Sequence, residues 1–359
     1  EGDFWRRQRR LAQPAFHRQR IEAFAEIMSS AGQHMLDGWE SMAAEPKPFD
    51  LMEEMSRVTL AVVGQALFGI DLVGAAADVG HALLIALQFV SEEAFSLFPS
   101  LLFIPAPRNL RFLKARRQLD RVVLGIIESR RRGGDAADDL LSMMMEARDP
   151  ESGEGMSDRQ LRDEVMTFIL AGHETTAVTL AWACLLLDQH PEVAERLRQE
   201  VGTVLAGRTP ALTDLPRLEL TRRVVDETLR LYPPVPVISR QSFAADEIGG
   251  YGIPAKSGVM LSPYVTHRHP DLWSAPERFD PDRFMPEHNA ARPRFAYFPF
   301  GGGPRLCIGN EFALMEAQIL LAMIVQRYRV ERVPGREVQH EIRVTLRPRQ
   351  PMWMQARAV

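Results

Sequence analysis

The stretch 165–187 is apolar on every side except near its middle, and this run limits what the chain can become. A helix that is apolar all round has no face for water, so it lies inside a large protein body or inside a membrane. Ser157 followed by Gln160 has the spacing of a capping box, and Pro191 stops the run. The helix between them is a rod roughly 50 Å long at 1.5 Å per residue. His173-Glu174-Thr175-Thr176 occupies its centre. Ionisable groups cost most there in a bilayer, so the helix is assigned to a protein interior, where such a cluster asks for a functional reason. A zinc-protease pattern is excluded, because Ala177 stands where its second histidine belongs.

A buried rod needs a coat, and the flanking sequence supplies one. Amphipathic spacing predicts helices over 5–16, 21–39, 51–68, 78–95, 110–132, 191–205 and 215–232, with a breaker at 45–48. Residues 235–260 alternate and turn at Gly249-Gly250, Gly252-Ile253-Pro254 and Ser257-Gly258, which reads as a small antiparallel β region. Short strands return over 330–359, with Gly335 and Pro348 as breaks. The fold class is mainly α with a minor antiparallel β region. With 46% hydrophobic residues and a net charge of −4, nothing favours a nucleic-acid partner. Two cysteines, Cys184 and Cys307, make no disulfide framework and fit a reducing, cytoplasmic location. The apolar loop 95–105 is too short to span a bilayer; it packs inward, lines a greasy entrance or touches a membrane surface.

Phe300-Gly301-Gly302-Gly303-Pro304-Arg305-Leu306-Cys307-Ile308-Gly309 delivers one cysteine to the start of a buried helix over 311–325. Three glycines and a proline neither continue a helix nor pack a strand, but they allow close backbone approach to something flat or bulky. At a helix N-terminus the partial positive charge and free N–H groups favour a thiolate. A lone cysteine in a turn is ordinarily a small buried hydrophobe. These surroundings mark Cys307 instead as an iron ligand.

The order Phe300, Gly303, Arg305, Cys307, Gly309 resembles the haem-binding loop of the cytochrome P-450 superfamily, the haem-thiolate monooxygenases. The resemblance implies a cofactor, haem b, with Cys307 as axial ligand, Phe300 packed against it and Arg305 paired with a propionate. Trp5 and Arg9, four apart on one helix face, are similar to a propionate-holding pair of that family, and Arg240 falls where another propionate-binding arginine belongs. Ala171-Gly172-His173-Glu174-Thr175-Thr176 resembles the oxygen-binding segment. There Gly172 removes bulk over a flat ligand, and Glu174 with Thr175 relays protons. Glu227-x-x-Arg230 resembles the buried pair that a second arginine joins to support the haem loop. Two Pro-x-Arg-Phe strings compete for that second place; Trp273, Pro276, Phe279, Pro281, Arg283 and Phe284 match the family's spacing, which selects Arg283 over Arg278.

By the same resemblance the chain is one haem-thiolate domain over 1–359, without the first helices and strands of its family. Its reaction inserts one atom of O2 into a lipophilic small molecule such as a fatty acid or terpenoid. No flavin or iron–sulfur module is recognisable, so electrons are expected from a ferredoxin or flavodoxin-type donor with its reductase. Arg6, Arg7 and Arg10 face outward, either to steer that donor or as a solvated charge run. Val344-Thr345-Leu346 is placed near the distal pocket. Two other classes compete: a peroxide-using or O2-independent haem-thiolate enzyme, and a non-catalytic haem sensor. Dependence on a reductase separates the first and turnover the second.

Overall fold

Ser157 and Gln160 cap the central helix reciprocally: Ser157 N–H donates to Gln160 Oε1 at 2.7 Å and Gln160 N–H to Ser157 Oγ at 3.4 Å. From this cap the helix runs Asp158–Gln189, and Pro191 opens the next one, Pro191–Leu205. The computed structural model describes residues 1–45, 47–72, 76–94, 101–132 and 139–359. Among these, Asp158–Gln189 is the one helix long and apolar enough to cross a membrane, and most of it is buried inside the protein.

The coat forms as the spacing predicts. Helix Leu51–Phe68 packs along the central helix; Asp50 caps it by accepting the Met52 N–H at 3.1 Å, and Gly69 ends it at φ 62°. Thr59 pins the pair by donating to the carbonyl of His173 at 2.9 Å. Helices Ala25–Gly38, Glu219–Leu231 and Asn310–Arg327 close round the other sides. Pro107–Arg131 covers the outside beside Ala76–Ala94. One contiguous apolar core runs through this bundle.

The β part is peripheral and antiparallel. Trp353–Ala358 pairs with Phe49–Asp50 on one side and with Tyr328–Arg332 on the other. Ile238–Gln241 pairs with Gly258–Leu261, and His340–Ile342 with Leu346–Pro348. Between the first two, Asp246–Ile248 and Tyr251–Ile253 form a tight hairpin whose two-residue turn needs Gly249 at φ 59° and Gly250 at φ 85°.

Four expectations change in detail. The first helix stops at Ala12 and tightens to a 3₁₀ turn, Gln13–Phe16, because Pro14 has no N–H to donate. The run 21–39 breaks at Phe24, and 215–232 resolves into a 3₁₀ segment, Leu212–Arg217, before Glu219–Leu231. Gly252 and Ile253 lie in a strand, so the predicted turn there falls later, where Lys256 takes φ 65°. A short helix, Leu140–Glu146, had no prediction; Asp139 caps it and is itself gripped by Arg130 at 2.7 Å. Of the apolar loop 95–105, residues 95–100 lie outside the described residues. Leu101, Leu102, Phe103 and Ile104 are exposed, and Asn109 ties the carbonyls of Leu101 and Ile104 at 3.0 Å each.

Candidate active site

The cysteine loop is held by its own backbone. Gly301 N–H donates to Phe298 O, Leu306 N–H to Gly303 O and Cys307 N–H to Phe300 O, each at 3.0 Å. Gly301 and Gly303 sit at φ 75° and 67°, where other residues are strained. At Gly302 a Cβ would come within 2.7 Å of the exposed Phe295 ring, which would have to shift. The helix Asn310–Arg327 begins three residues after Cys307. Burial pushes the Cys307 thiol above its ordinary value, and the Gly309 N–H and the Arg9 charge pull it back only in part.

Cys307 opens into a cavity of about 400 Å³. Phe300, Gly301, Arg305 and Gly309 of the cysteine loop line it together with Phe168, Ala171, Gly172, Thr175 and Thr176 of the central helix. Val235, Ile238 and Arg240 close a side. Gly303 lies outside this lining. The walls are mainly apolar, with two arginines, four threonines and one thiol as the polar side chains. That set suits haem: an apolar slot for the macrocycle, a soft sulfur for iron and cations for two propionates.

The central helix presents its two expected relay groups to different spaces. Thr175 lines the cysteine cavity and donates to Ala171 O at 2.8 Å. Glu174 is buried on the other side, where Oε1 accepts from Thr345 Oγ1 at 2.8 Å and Oε2 has no partner. Arg347 stands 3.7 Å from Glu174 Oε1. A second cavity of about 310 Å³ lies against Glu174, lined also by Asp50, Arg343, Val344 and Thr345. Val344 and Thr345 thus border this second space and not the cysteine cavity, and Leu346 is fully buried. Gly172 corrects an expectation. Its missing Cβ points at Val63 Cγ2, 2.9 Å away on the neighbouring helix, so helix packing requires the glycine and the cavity sees its backbone.

The sequence profile of the family Cytochrome P450 matches residues 1–353. The chain belongs to the cytochrome P450 family. It is 39% identical to cyclooctatin synthase of Streptomyces melanosporofaciens, over 95% of this chain and 74% of that protein. Pentalenene oxygenase of Streptomyces avermitilis is 35% identical, over 93% of this chain and 73% of its own length. The crystal structure of the cytochrome P450DA heme domain superposes with a TM-score of 0.89 at 29% identity, covering 98% of this chain and 76% of that one. This cytochrome P450 is accordingly a haem-dependent monooxygenase with the mainly helical fold of its family.

Beneath the cysteine loop of this cytochrome P450, Glu227 and Arg230 are fully buried and doubly bonded, at 2.6 and 2.8 Å. Arg230 also donates to the carbonyls of His267, Pro276 and Arg278 at 2.8, 2.7 and 3.1 Å. Arg283 brings Nε to 3.5 Å from Glu227 Oε1 and donates to Ser274 O and Ala275 O. The Arg278 side chain is exposed, and that residue gives only its carbonyl. His267 was not anticipated, since its spacing carries no signal. It is fully buried, and burial pushes it down to about 3.

On the N-terminal helix Gly2–Ala12, Arg9 donates to Leu306 O at 3.0 Å and Trp5 lies 3.6 Å beneath the guanidinium of Arg305, which also pairs with Glu1. Trp5 and Arg9 therefore reach the cysteine loop but do not line its cavity. The expected outward basic patch is largely committed. Arg7 pairs with Glu154 at 2.5 Å and Arg10 with Asp149 and Glu151 at 2.9 Å each, while Arg6 holds Asp3.

Proposed function

We propose that residues 1–359 act as one haem-binding domain that inserts an oxygen atom from O2 into a carbocyclic, lipophilic substrate of the terpenoid class. The observation that carries this reading is that Cys307 and Thr175, far apart in the chain, line one mainly apolar cavity. Cyclooctat-9-en-7-ol 5-monooxygenase and pentalenene oxygenase are named for cyclic, alkene-bearing molecules, and their 37% and 35% identity supports the substrate class.

Haem b, bound in this cavity, supplies the iron at which O2 is reduced and from which oxygen is transferred. Cys307 would hold its iron through sulfur, presented by the loop that Gly301 and Gly303 turn. Phe300 shields the sulfur, and Arg240 and Arg305 neutralise the propionates, with Trp5 and Arg9 fixing Arg305 and the loop from outside. Gly309, in the cavity lining and without a side chain, would leave the helix start open to the haem. The apolar walls exclude water and hold a lipophilic substrate by burial of its surface.

Thr175 already gives its own proton to Ala171 O, so its oxygen accepts from a cavity ligand and holds a proton donor there. Glu174 sets its carboxyl group on the far face of the same helix turn, where Thr345 orients one oxygen and the other faces the second cavity's side of the helix with no partner among the described residues. The Glu227–Arg230–Arg283 cluster holds the segment 274–278 in place through its carbonyls. Electrons come from a ferredoxin or flavodoxin-type donor with its reductase. Two unpaired cysteines suit work in the cytoplasm.

The test is the difference spectrum of the dithionite-reduced protein with and without CO. A strongly red-shifted Soret band, lost in Cys307→Ser, is expected; a band at the shorter wavelength of a histidine or neutral-thiol ligand overturns the assignment. Product formation from a cyclic terpenoid alkene should require O2 and a reductase system. Turnover with peroxide alone, or none with any donor, would favour the competing classes.

A further inference from the structure

We propose that Tyr297 is a positioning residue for Cys307: its hydroxyl, bonded to Asp226 on the helix Glu219–Leu231, fixes the residues 297–299 that lead into the cysteine loop. This rests on the proposed role of Cys307. The Tyr297 O–H is shared between two acceptors of one residue, the carbonyl of Asp226 at 3.0 Å and its Oδ1 at 3.1 Å. Arg222 Nε donates to the other carboxyl oxygen at 3.0 Å and so holds the carboxyl group in place. Glu227, the next residue on the helix, takes Arg230 and Arg283 instead. Two consecutive residues of one helix thus serve two different segments.

Aromatic neighbours confine the Tyr297 ring around this bond. Phe284 meets it edge-on with centroids 4.8 Å apart, and His267 and Trp273 stand at 5.2 and 6.4 Å. Burial and the facing Asp226 carboxyl push the hydroxyl well above its ordinary value, so it keeps its proton and remains a donor. From Tyr297 the order passes along the chain to the sulfur. Phe298, the next residue, gives its N–H to His267 Nε2 at 2.9 Å, and its carbonyl accepts the Gly301 N–H at 3.0 Å. Gly301 turns the loop at φ 75°, and the Phe300 carbonyl accepts the Cys307 N–H at 3.0 Å. Tyr297 and His267 therefore pin adjacent residues, one through a side chain and one through the backbone. Tyr297 itself lies outside the cavity lining, so it acts on the sulfur only through the loop.

A second tyrosine separates positioning from plain stability. Tyr328 donates to Leu36 O at 3.0 Å, a bond of the same length that does not involve the cysteine loop. The test compares haem-loaded wild type with Tyr297→Phe and Tyr328→Phe, each of which removes one hydroxyl and keeps the ring. Tyr297→Phe should shift the Fe–S stretch seen by resonance Raman. In mild denaturant it should convert the thiolate CO band to the neutral-thiol band roughly five-fold faster, as expected of one lost hydrogen bond. Amide exchange at Gly301 and Cys307 should quicken by a similar factor. Tyr328→Phe should lower the unfolding midpoint to a comparable extent and leave the Fe–S stretch, the conversion rate and both amides as in wild type. An unmoved stretch and unchanged rates in Tyr297→Phe, or equal changes in Tyr328→Phe, overturn the proposal. Absence of the thiolate CO band in the wild type would instead overturn the Cys307 assignment, and exchange at the two amides still tests Tyr297.

Discussion

The Nε2 atom of His267 accepts the backbone N–H of Phe298 at 2.9 Å, two residues before the cysteine loop begins, while the carbonyl of the same histidine accepts from buried Arg230 at 2.8 Å. His267 thus links the Glu227–Arg230 pair to the approach of the loop. Accepting at Nε2 requires the neutral ring with its proton on Nδ1. The link exists only while the histidine is uncharged.

That requirement has a sign. Burial pushes His267 from 6.5 down to about 3, so as pH falls below 6.5 the unfolded chain takes up a proton that the folded chain refuses. The stability due to neutral His267 is complete above pH 6.5 and drains away as pH falls towards 3. From pH 6.5 to 5 the loss is about 2 kcal/mol for one such group. His173 is also pushed down by burial and adds in the same direction. Urea unfolding at both pH values should show the loss, and His267→Gln, whose amide oxygen can still accept from Phe298, should reduce it by about 2 kcal/mol. An equal loss in wild type and variant would remove His267 from the account.

Arg283 and Arg278 make opposite predictions although both stand in a Pro-x-Arg-Phe string. Arg283 is 3.5 Å from a buried carboxylate and bonds two carbonyls, whereas the Arg278 side chain is exposed. Removing a member of a buried charge cluster strands the others, so Arg283→Ala should cost about 3–5 kcal/mol. Arg278→Ala should stay within about 0.5 kcal/mol. Denaturation midpoints measure both, and a larger loss at Arg278 would reverse the assignment.

What could be read from the chain alone was what neighbours in sequence decide. Ser157 with Gln160 bounds one end of the central helix by local hydrogen bonds, and Pro191, which has no N–H to continue it, bounds the other, so both ends were legible. The cysteine loop was legible because a positive φ demands glycine wherever the chain goes next. Contacts across long separations were not. Arg7 and Arg10 read as a free basic patch because Glu154, Asp149 and Glu151 stand far along the chain, and nothing near Gly172 announces Val63. His267 had no visible role until Phe298 was seen against it.

Gly172 gives a test of sign. A glycine inside a helix usually costs about 0.5–1 kcal/mol relative to alanine, so Gly172→Ala would stabilise an unobstructed helix. Here the new methyl would lie 2.9 Å from Val63 Cγ2, and overpacking of this kind costs about 1–3 kcal/mol. Gly172→Ala should therefore lower the unfolding midpoint, and Val63→Ala in the same chain should recover more than half of the loss. A stabilised single variant would mean that the two helices part freely and that the glycine serves the cavity after all.

Arg9 offers the sharpest separation between holding the loop and merely decorating a basic helix. Its guanidinium donates to Leu306 O, the carbonyl directly before Cys307, whereas Arg6 on the same helix pairs only with exposed Asp3. A hydrogen bond from a charged donor is worth about 1.5–3 kcal/mol, and losing it leaves the Leu306 carbonyl to water or to nothing. If that bond keeps the cysteine in place, Arg9→Ala should speed haem loss to an acceptor protein by roughly ten-fold or more. Lysine at position 9 keeps the charge and one donor, so it should recover part of the retention, and Arg6→Ala should leave the rate unchanged. Equal rates for Arg9→Ala and Arg6→Ala would show that the loop is held by its own Phe300–Cys307 backbone bond, with the N-terminal helix contributing only its surface charge.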